Sequence, residues 1–106
     1  MLEHKKRYLQ IAFNYDLGHV MRILPSLPPN ERIIIEAGTP FIKREGLNGI
    51  RVIDRIWKGP IVADLKTLDG AEDEVGFVNG AGATAATVLG SAPVETLNLF
   101  IRHCAE

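Results

Sequence analysis

Residues 61–69 read Ile61-Val62-Ala63-Asp64-Leu65-Lys66-Thr67-Leu68-Asp69, an apolar run that passes without a break into three charged side chains. The run Ile61 to Leu65 reads as a short buried strand, and such strands belong to parallel sheets covered by helices. A buried strand has no structural use for three charges at its end. Side chains alternate along a strand, so Asp64 and Lys66 fall on the same side and the following turn brings Asp69 near them. Polar sites are built in this way at the carboxyl edge of parallel sheets. The stretch therefore predicts an α/β fold and marks the edge where its chemistry belongs.

The pattern repeats on both sides of this stretch. Upstream, Gly59-Pro60 ends a helix expected from about Gly46 to Trp57, with Leu47, Ile50, Ile53, Ile56 and Trp57 on its apolar face. Ile33-Ile34-Ile35 is a second strand, too short and too β-branched for a helix, stopping at Glu36-Ala37-Gly38-Thr39-Pro40. Tyr8 to Phe13 is a first strand that ends in Asn14-Tyr15-Asp16. Leu17, Val20, Met21 and Leu24 then recur at helical spacing until Pro25 and Pro28-Pro29. Downstream, a helix over about Ala71 to Asn79 carries Val75 and Val78 inward and is capped by Gly80 and Gly82. Thr84 to Leu89 is a fourth strand, and Val94, Leu97, Phe100 and Ile101 mark a last helix. Four consecutive strand-helix units with right-handed crossovers give one parallel sheet. Four strands do not close a barrel, whereas eight do. The alternative, an open sheet with helices on both faces, needs a reversal of strand order that short consecutive crossovers do not suggest.

Composition narrows the function classes. A chain of 106 residues, 46% of them hydrophobic, builds one domain around one core. Twelve basic against thirteen acidic side chains leave a formal charge of −1, so no bulk field favours nucleic acid or an anionic membrane surface. No long apolar segment suggests a membrane span, and the single Cys104 has no partner for an internal disulfide; a reducing cytoplasm fits. Residues 1–7 are mostly charged and precede any apolar pattern, as a linker or an appended end would, which leaves 8–106 as the folded unit. His4, His19 and His103 lie away from the strand ends, and Gly80-Ala81-Gly82 runs from helix into strand, the wrong polarity for a dinucleotide-binding turn.

The strand ends gather on one rim. The first delivers Asn14 and Asp16, the second Glu36, the third Asp64, Lys66 and Asp69, and the fourth Gly90 and Ser91. Glu36 and Asp64 end neighbouring strands, and two carboxylates of this kind suit Mg²⁺, which takes one or two protein carboxylates and completes its shell with water and substrate oxygens. Such an ion polarises a carbonyl and supports an enediolate. Lys66 adds a positive charge able to protonate or stabilise a developing oxyanion. Surface ion pairs at loop ends are the plain alternative.

These residues carry a resemblance. Leu9-Gln10-Ile11-Ala12, the run Ile35 to Lys43 and the run Val62 to Asp69 resemble the 3-hexulose-6-phosphate synthase family, within the orotidine 5′-monophosphate decarboxylase superfamily of β/α barrels. The wording is most similar to archaeal synthase domains that can be fused behind a formaldehyde-activating enzyme, and the resemblance runs from about Tyr8 to the last helix. It implies half of a (β/α)8 TIM barrel. Glu36 is the discriminating position: the orotidylate decarboxylases carry lysine there and use no metal, whereas the synthases and the 3-keto-L-gulonate-6-phosphate decarboxylases carry a glutamate. The resemblance thus implies Mg²⁺ on Glu36 and Asp64, with Lys66 beside a metal-bound enediolate and Asp69 reaching across a dimer interface. The implied reaction is an aldehyde-lyase reaction joining formaldehyde and ribulose 5-phosphate to a hexulose 6-phosphate, with Asp64, Lys66 and Asp69 catalytic. The related decarboxylase and a non-catalytic half-barrel for binding or assembly are the alternatives.

Two departures from the family pattern matter. Members commonly end the first strand in Ala-Leu-Asp, but here it reads Ala12-Phe13-Asn14. Asn14 can bind a sugar hydroxyl but cannot serve as an anionic base, and Asp16 is expected to cap the next helix. The family barrel has eight units, and this chain stops after the fourth, before the strand that carries a catalytic histidine and the loops that grip phosphate. The isolated chain is expected to be weak or inactive. Its bare sheet face and two sheet edges predict a homo-oligomer, a dimer, or association with a missing carboxyl-terminal half.

Overall fold

A computed structural model of the chain describes residues 2–106. Strands β1 (Leu9–Phe13), β2 (Ile33–Ala37), β3 (Ile61–Thr67) and β4 (Ala85–Val88) alternate with helices α1 (Leu17–Ile23), α2 (Thr39–Ile56), α3 (Ala71–Ala81) and α4 (Val94–Ala105). A 3₁₀ turn over Leu24–Ser26 extends α1 and places Pro25 where its missing N–H costs nothing. The strands lie side by side in sequence order, and every neighbouring pair is parallel. No strand order reverses, so the sheet is the four-unit half of an α/β barrel and not an open doubly wound sheet.

Alternation divides the sheet into two unlike faces. On one, Ile11, Phe13, Ile33, Ile35, Ala37, Ile61 and Ala63 pack with Val20, Leu24, Phe41, Ile50, Ile53, Trp57, Val78 and Ala81 from the helical layer. Ile35, Phe41, Ile50 and Ile53 are fully buried there, and truncating any of them to alanine costs about 2–5 kcal/mol. The opposite face carries the even-numbered residues of β1, β2 and β3 and, in β4, Ala85, for Ala12 pairs with Glu36, Glu36 with Val62 and Val62 with Ala85. Gln10, Ala12 and Ala85 on this face are exposed.

Several boundaries differ from those expected. The second helix begins at Thr39, not Gly46, because Pro40 in its first turn has the fixed φ that suits a helix start. Gly46 is instead an interior kink, with φ 64° and ψ −157°. The third strand continues to Thr67 and not to Leu65, so Asp64 and Lys66 belong to the sheet itself. Gly80 lies inside α3; Gly82 alone makes the carboxyl cap, at φ 114°, with its N–H bonded to Asn79 O. A side chain at Gly82 would also strike Asp54, so both the backbone and the neighbour require glycine there.

Candidate active site

The carboxyl end of β3 is irregular, and the irregularity assembles the charged pair. Ala63 pairs with Ala86 and Thr67 with Val88, so β3 advances four residues while β4 advances two. Such a bulge re-aims side chains. Leu65 turns toward the core, while the Lys66 ammonium reaches the Asp64 carboxylate on the other side. Lys66 has φ 48°, the left-handed region that non-glycine residues seldom occupy and that commonly marks a functional position.

Two threonines complete the network. Thr39, the first residue of α2, shares its one hydroxyl proton between the Asp64 carbonyl at 2.6 Å and Asp64 Oδ2 at 3.0 Å, and accepts from Lys66 Nζ at 2.8 Å. Thr87 on β4 donates to Asp64 Oδ1 at 2.6 Å and accepts the Lys66 main-chain N–H at 3.0 Å. Burial alone would raise the Asp64 pKa, but hydrogen bonds from Lys66, Thr87 and Thr39 outweigh it and hold the carboxyl below its ordinary value. Asp64 is 16% exposed and Lys66 53%, so the carboxylate is the anchored partner and the ammonium faces outward.

Glu36 shares this face one strand away. Its partner Val62 lies two residues before Asp64, which by alternation puts both carboxylates on the same side of adjacent strands. Glu36 is half-buried and, among the described residues, makes no side-chain hydrogen bond or salt bridge. Asn14 follows β1 at the same rim. A side chain at Gly38 would strike Asn14 Oδ1 and lie 2.8 Å from Phe13 O, so glycine lets β1 and the start of α2 close together. Asp16 accepts the His19 N–H at 2.9 Å and caps α1, as its position suggests, and that bond lowers its pKa. Asp69 is exposed in the turn before α3, where its charge acts on Glu74, and among the described residues it makes no hydrogen bond or salt bridge with Asp64 or Lys66.

The donor set suits a hard divalent cation. A carboxylate offers about four acceptor positions. Asp64 uses three of them on Thr87, Thr39 and Lys66, and Glu36 leaves its own free. Among the described residues, no group of three or more His, Cys, Asp or Glu side chains converges, so any Mg²⁺ here draws on two protein carboxylates and otherwise on water or substrate. A cleft of about 810 Å³ at the amino end of the bare face is lined by Tyr8, Ile34, Val62 and Ala85, away from Asp64 and Lys66. The charged rim is open because its sheet is open, and geometry and charge identify it better than concavity does. Thr39 and Thr87 are the site residues that residue type at strand ends did not reveal.

Comparison with known proteins gives the family and the fold. The family described as orotidine 5′-phosphate decarboxylase / HUMPS matches residues 7–106. The bifunctional enzyme Fae/Hps of Methanocella arvoryzae is 49% identical over 98 residues, which cover 91% of this chain and 25% of that protein. The chain thus spans about a quarter of the length of the curated relatives it matches. The crystal structure of 3-hexulose-6-phosphate synthase from Salmonella typhimurium superposes with a TM-score of 0.84 at 36% identity, over 91% of this chain and 46% of that one. The 3-keto-L-gulonate-6-phosphate decarboxylase of Vibrio cholerae shares the fold, with a TM-score of 0.82 at 23% identity over 92% of this chain and 46% of that one. The chain's architecture is therefore half of a TIM barrel like that of the synthase structures, and the chain belongs to the orotidine 5′-phosphate decarboxylase / HUMPS family.

Proposed function

We propose that this chain carries the amino-terminal half of the active site of a Mg²⁺-dependent aldehyde-lyase, one that joins formaldehyde and ribulose 5-phosphate to a hexulose 6-phosphate. The observation that carries the reading is the half-buried Glu36 carboxylate, unpaired among the described residues, on the same face as the anchored Asp64–Lys66 pair. Similarity to a solved synthase and to the Fae/Hps enzymes supports it.

In the reaction, loss of a C1 proton turns the pentulose into an enediolate, C1 attacks the formaldehyde carbon, and the former aldehyde oxygen takes up a proton. Lys66 sits where its ammonium stabilises negative charge on the substrate oxygens, and Asp64 and Thr39 fix its direction. Preorganised in this way, it needs little reordering as charge develops. Asn14 binds a sugar hydroxyl. Glu36 and Asp64 hold the Mg²⁺, which supplies polarisation of a carbonyl oxygen and charge compensation when bound. Asp69, exposed and not bonded to the pair among the described residues of this chain, serves the site of a second copy in a dimer. No helix among the described residues is long and apolar enough to cross a membrane; a cytoplasmic enzyme of sugar phosphates is the setting we assign.

The test is formaldehyde fixation onto ribulose 5-phosphate with and without Mg²⁺, alongside calorimetric titration of Mg²⁺ into the chain and into Glu36→Ala. Activity of the isolated chain is expected to be weak, since positioning of the phosphate contributes heavily to rate. Glu36→Ala is expected to abolish fixation and to weaken Mg²⁺ binding by about tenfold or more. Fixation that survives both Glu36→Ala and a chelator overturns the metal-dependent mechanism. The related decarboxylase, whose fold the chain shares, predicts release of carbon dioxide from 3-keto-L-gulonate 6-phosphate instead.

A further inference from the structure

Asp64, Leu65 and Lys66 on β3 lie opposite one residue of β4, Thr87, because Ala63 pairs with Ala86 and Thr67 with Val88. In a regular parallel ladder a main-chain N–H such as that of Lys66 finds a carbonyl on the neighbouring strand. Here it finds the Thr87 hydroxyl at 3.0 Å. That hydroxyl has one proton to give, and it gives it to Asp64 Oδ1 at 2.6 Å. One side chain thus replaces the missing rung of the ladder and ties the main chain of Lys66 to the carboxylate that anchors its ammonium. Lys66 is held at φ 48° in the middle of this arrangement, and a conformation of that kind persists only where its surroundings fix it. Thr39 grips the other carboxylate oxygen from the opposite side, so it does not duplicate the Thr87 contact.

We infer that Thr87 is a positioning residue of this site: its hydroxyl holds the Lys66 bulge in place and aims Asp64, so that both charged ends meet at the same level of the open face. What the positioned groups then do rests on the synthase reading; the positioning itself does not. Valine at this place keeps the shape and removes the hydroxyl, and serine keeps the hydroxyl.

The experiment is amide hydrogen exchange, read residue by residue by NMR, on the chain and on Thr87→Val and Thr87→Ser, with Mg²⁺ alone titrated into each. The Ile61 N–H, bonded to Thr84 Oγ1 at 2.9 Å at the far end of β3, reports whether the strand remains folded. In Thr87→Val the Lys66 amide is expected to exchange about tenfold faster or more while Ile61 is unchanged, and Mg²⁺ binding to weaken severalfold. Thr87→Ser is expected to stay within about threefold of the wild type in both readouts. Lys66 protection that survives in Thr87→Val, or that is lost in Thr87→Ser while Ile61 stays protected, overturns the inference. If Thr87→Val loses Ile61 protection as well, the serine variant alone decides. A wild-type chain that takes up no Mg²⁺ refutes the metal assignment, and the Lys66 exchange rates still settle the role of Thr87.

Discussion

The Asp64 carboxylate accepts three side-chain hydrogen bonds, from residues on three different elements, and that arrangement explains why so little of the site can be moved. Its partners arrive from the start of α2, from β4 and from its own strand. Gly38 sets the first of these approaches. Gly38→Ala forces its methyl into Asn14 and the Phe13 carbonyl, so it is expected to lower unfolding stability by about 1–3 kcal/mol and to displace Asn14, read by urea denaturation and by the Asn14 side-chain amide resonances. A second residue-scale effect lies at the start of α3, where burial and the nearby Asp69 charge raise the pKa of Glu74. An acid whose pKa rises on folding binds more protons in the folded state, so stability falls as pH climbs through the interval above its ordinary value of 4.5. Glu74→Gln is therefore expected to melt higher than the wild type at pH 7, with the gap closing as pH falls below 4.5; equal melting at both ends refutes the assignment. Glu36, Asp64 and Lys66 were legible in the sequence because charge at the end of an apolar strand has no packing role. Thr39 and Thr87 were not, since hydroxyls are ordinary in strands and helix starts, and their role arises only from the bulge.

At the scale of the element, the apolar pattern located all four strands and all four helices, and its errors share a physical origin. Periodicity reports burial, and it falls silent where backbone geometry takes over. The first half of α2 lacks an apolar repeat because Lys43 and Arg44 are exposed, although Phe41 within it is fully buried. Gly46, near the expected start, is the kink that joins two helical halves. Its φ and ψ fall in a region essentially restricted to glycine, and nothing lies within 4 Å of a Cβ placed there. Gly46→Ala is thus a pure backbone test, expected to cost about 1–3 kcal/mol. Gly76, exposed inside α3 with equally open space around it, is expected to respond with the opposite sign, Gly76→Ala gaining about 0.5–1 kcal/mol. Both values come from chemical denaturation midpoints, and changes of the same sign count against the kink as a fixed feature.

The whole molecule is a slab, not a sphere. Its principal extents are 41 × 35 × 22 Å, and its radius of gyration of 13.7 Å exceeds the ~13 Å expected of a compact chain of this length. The short dimension is one sheet and one helical layer; among the described residues no helix packs on the second face of the sheet. Sheet order followed from the sequence, because short crossovers between consecutive parallel strands leave few topologies. What covers the bare face did not, because Gln10, Ala12 and Ala85 are small or polar, and the larger apolar residues of that face, Ile34 and Val62, are already buried and half-buried. Strands β1 and β4 each pair on one side only, so both offer unpaired backbone groups, and such edges favour association. The chain is therefore expected to sediment as a dimer or larger species at micromolar concentration. Ala12→Lys, which sets a charge on the bare face of the edge strand β1, is expected to shift it toward monomer while the far-UV circular dichroism stays unchanged. Loss of association with retained secondary structure identifies that face and edge as the joining surface. A wild-type chain that remains monomeric at tens of micromolar refutes it, and a dimer indifferent to Ala12→Lys moves the interface to the outer surface near Asp69.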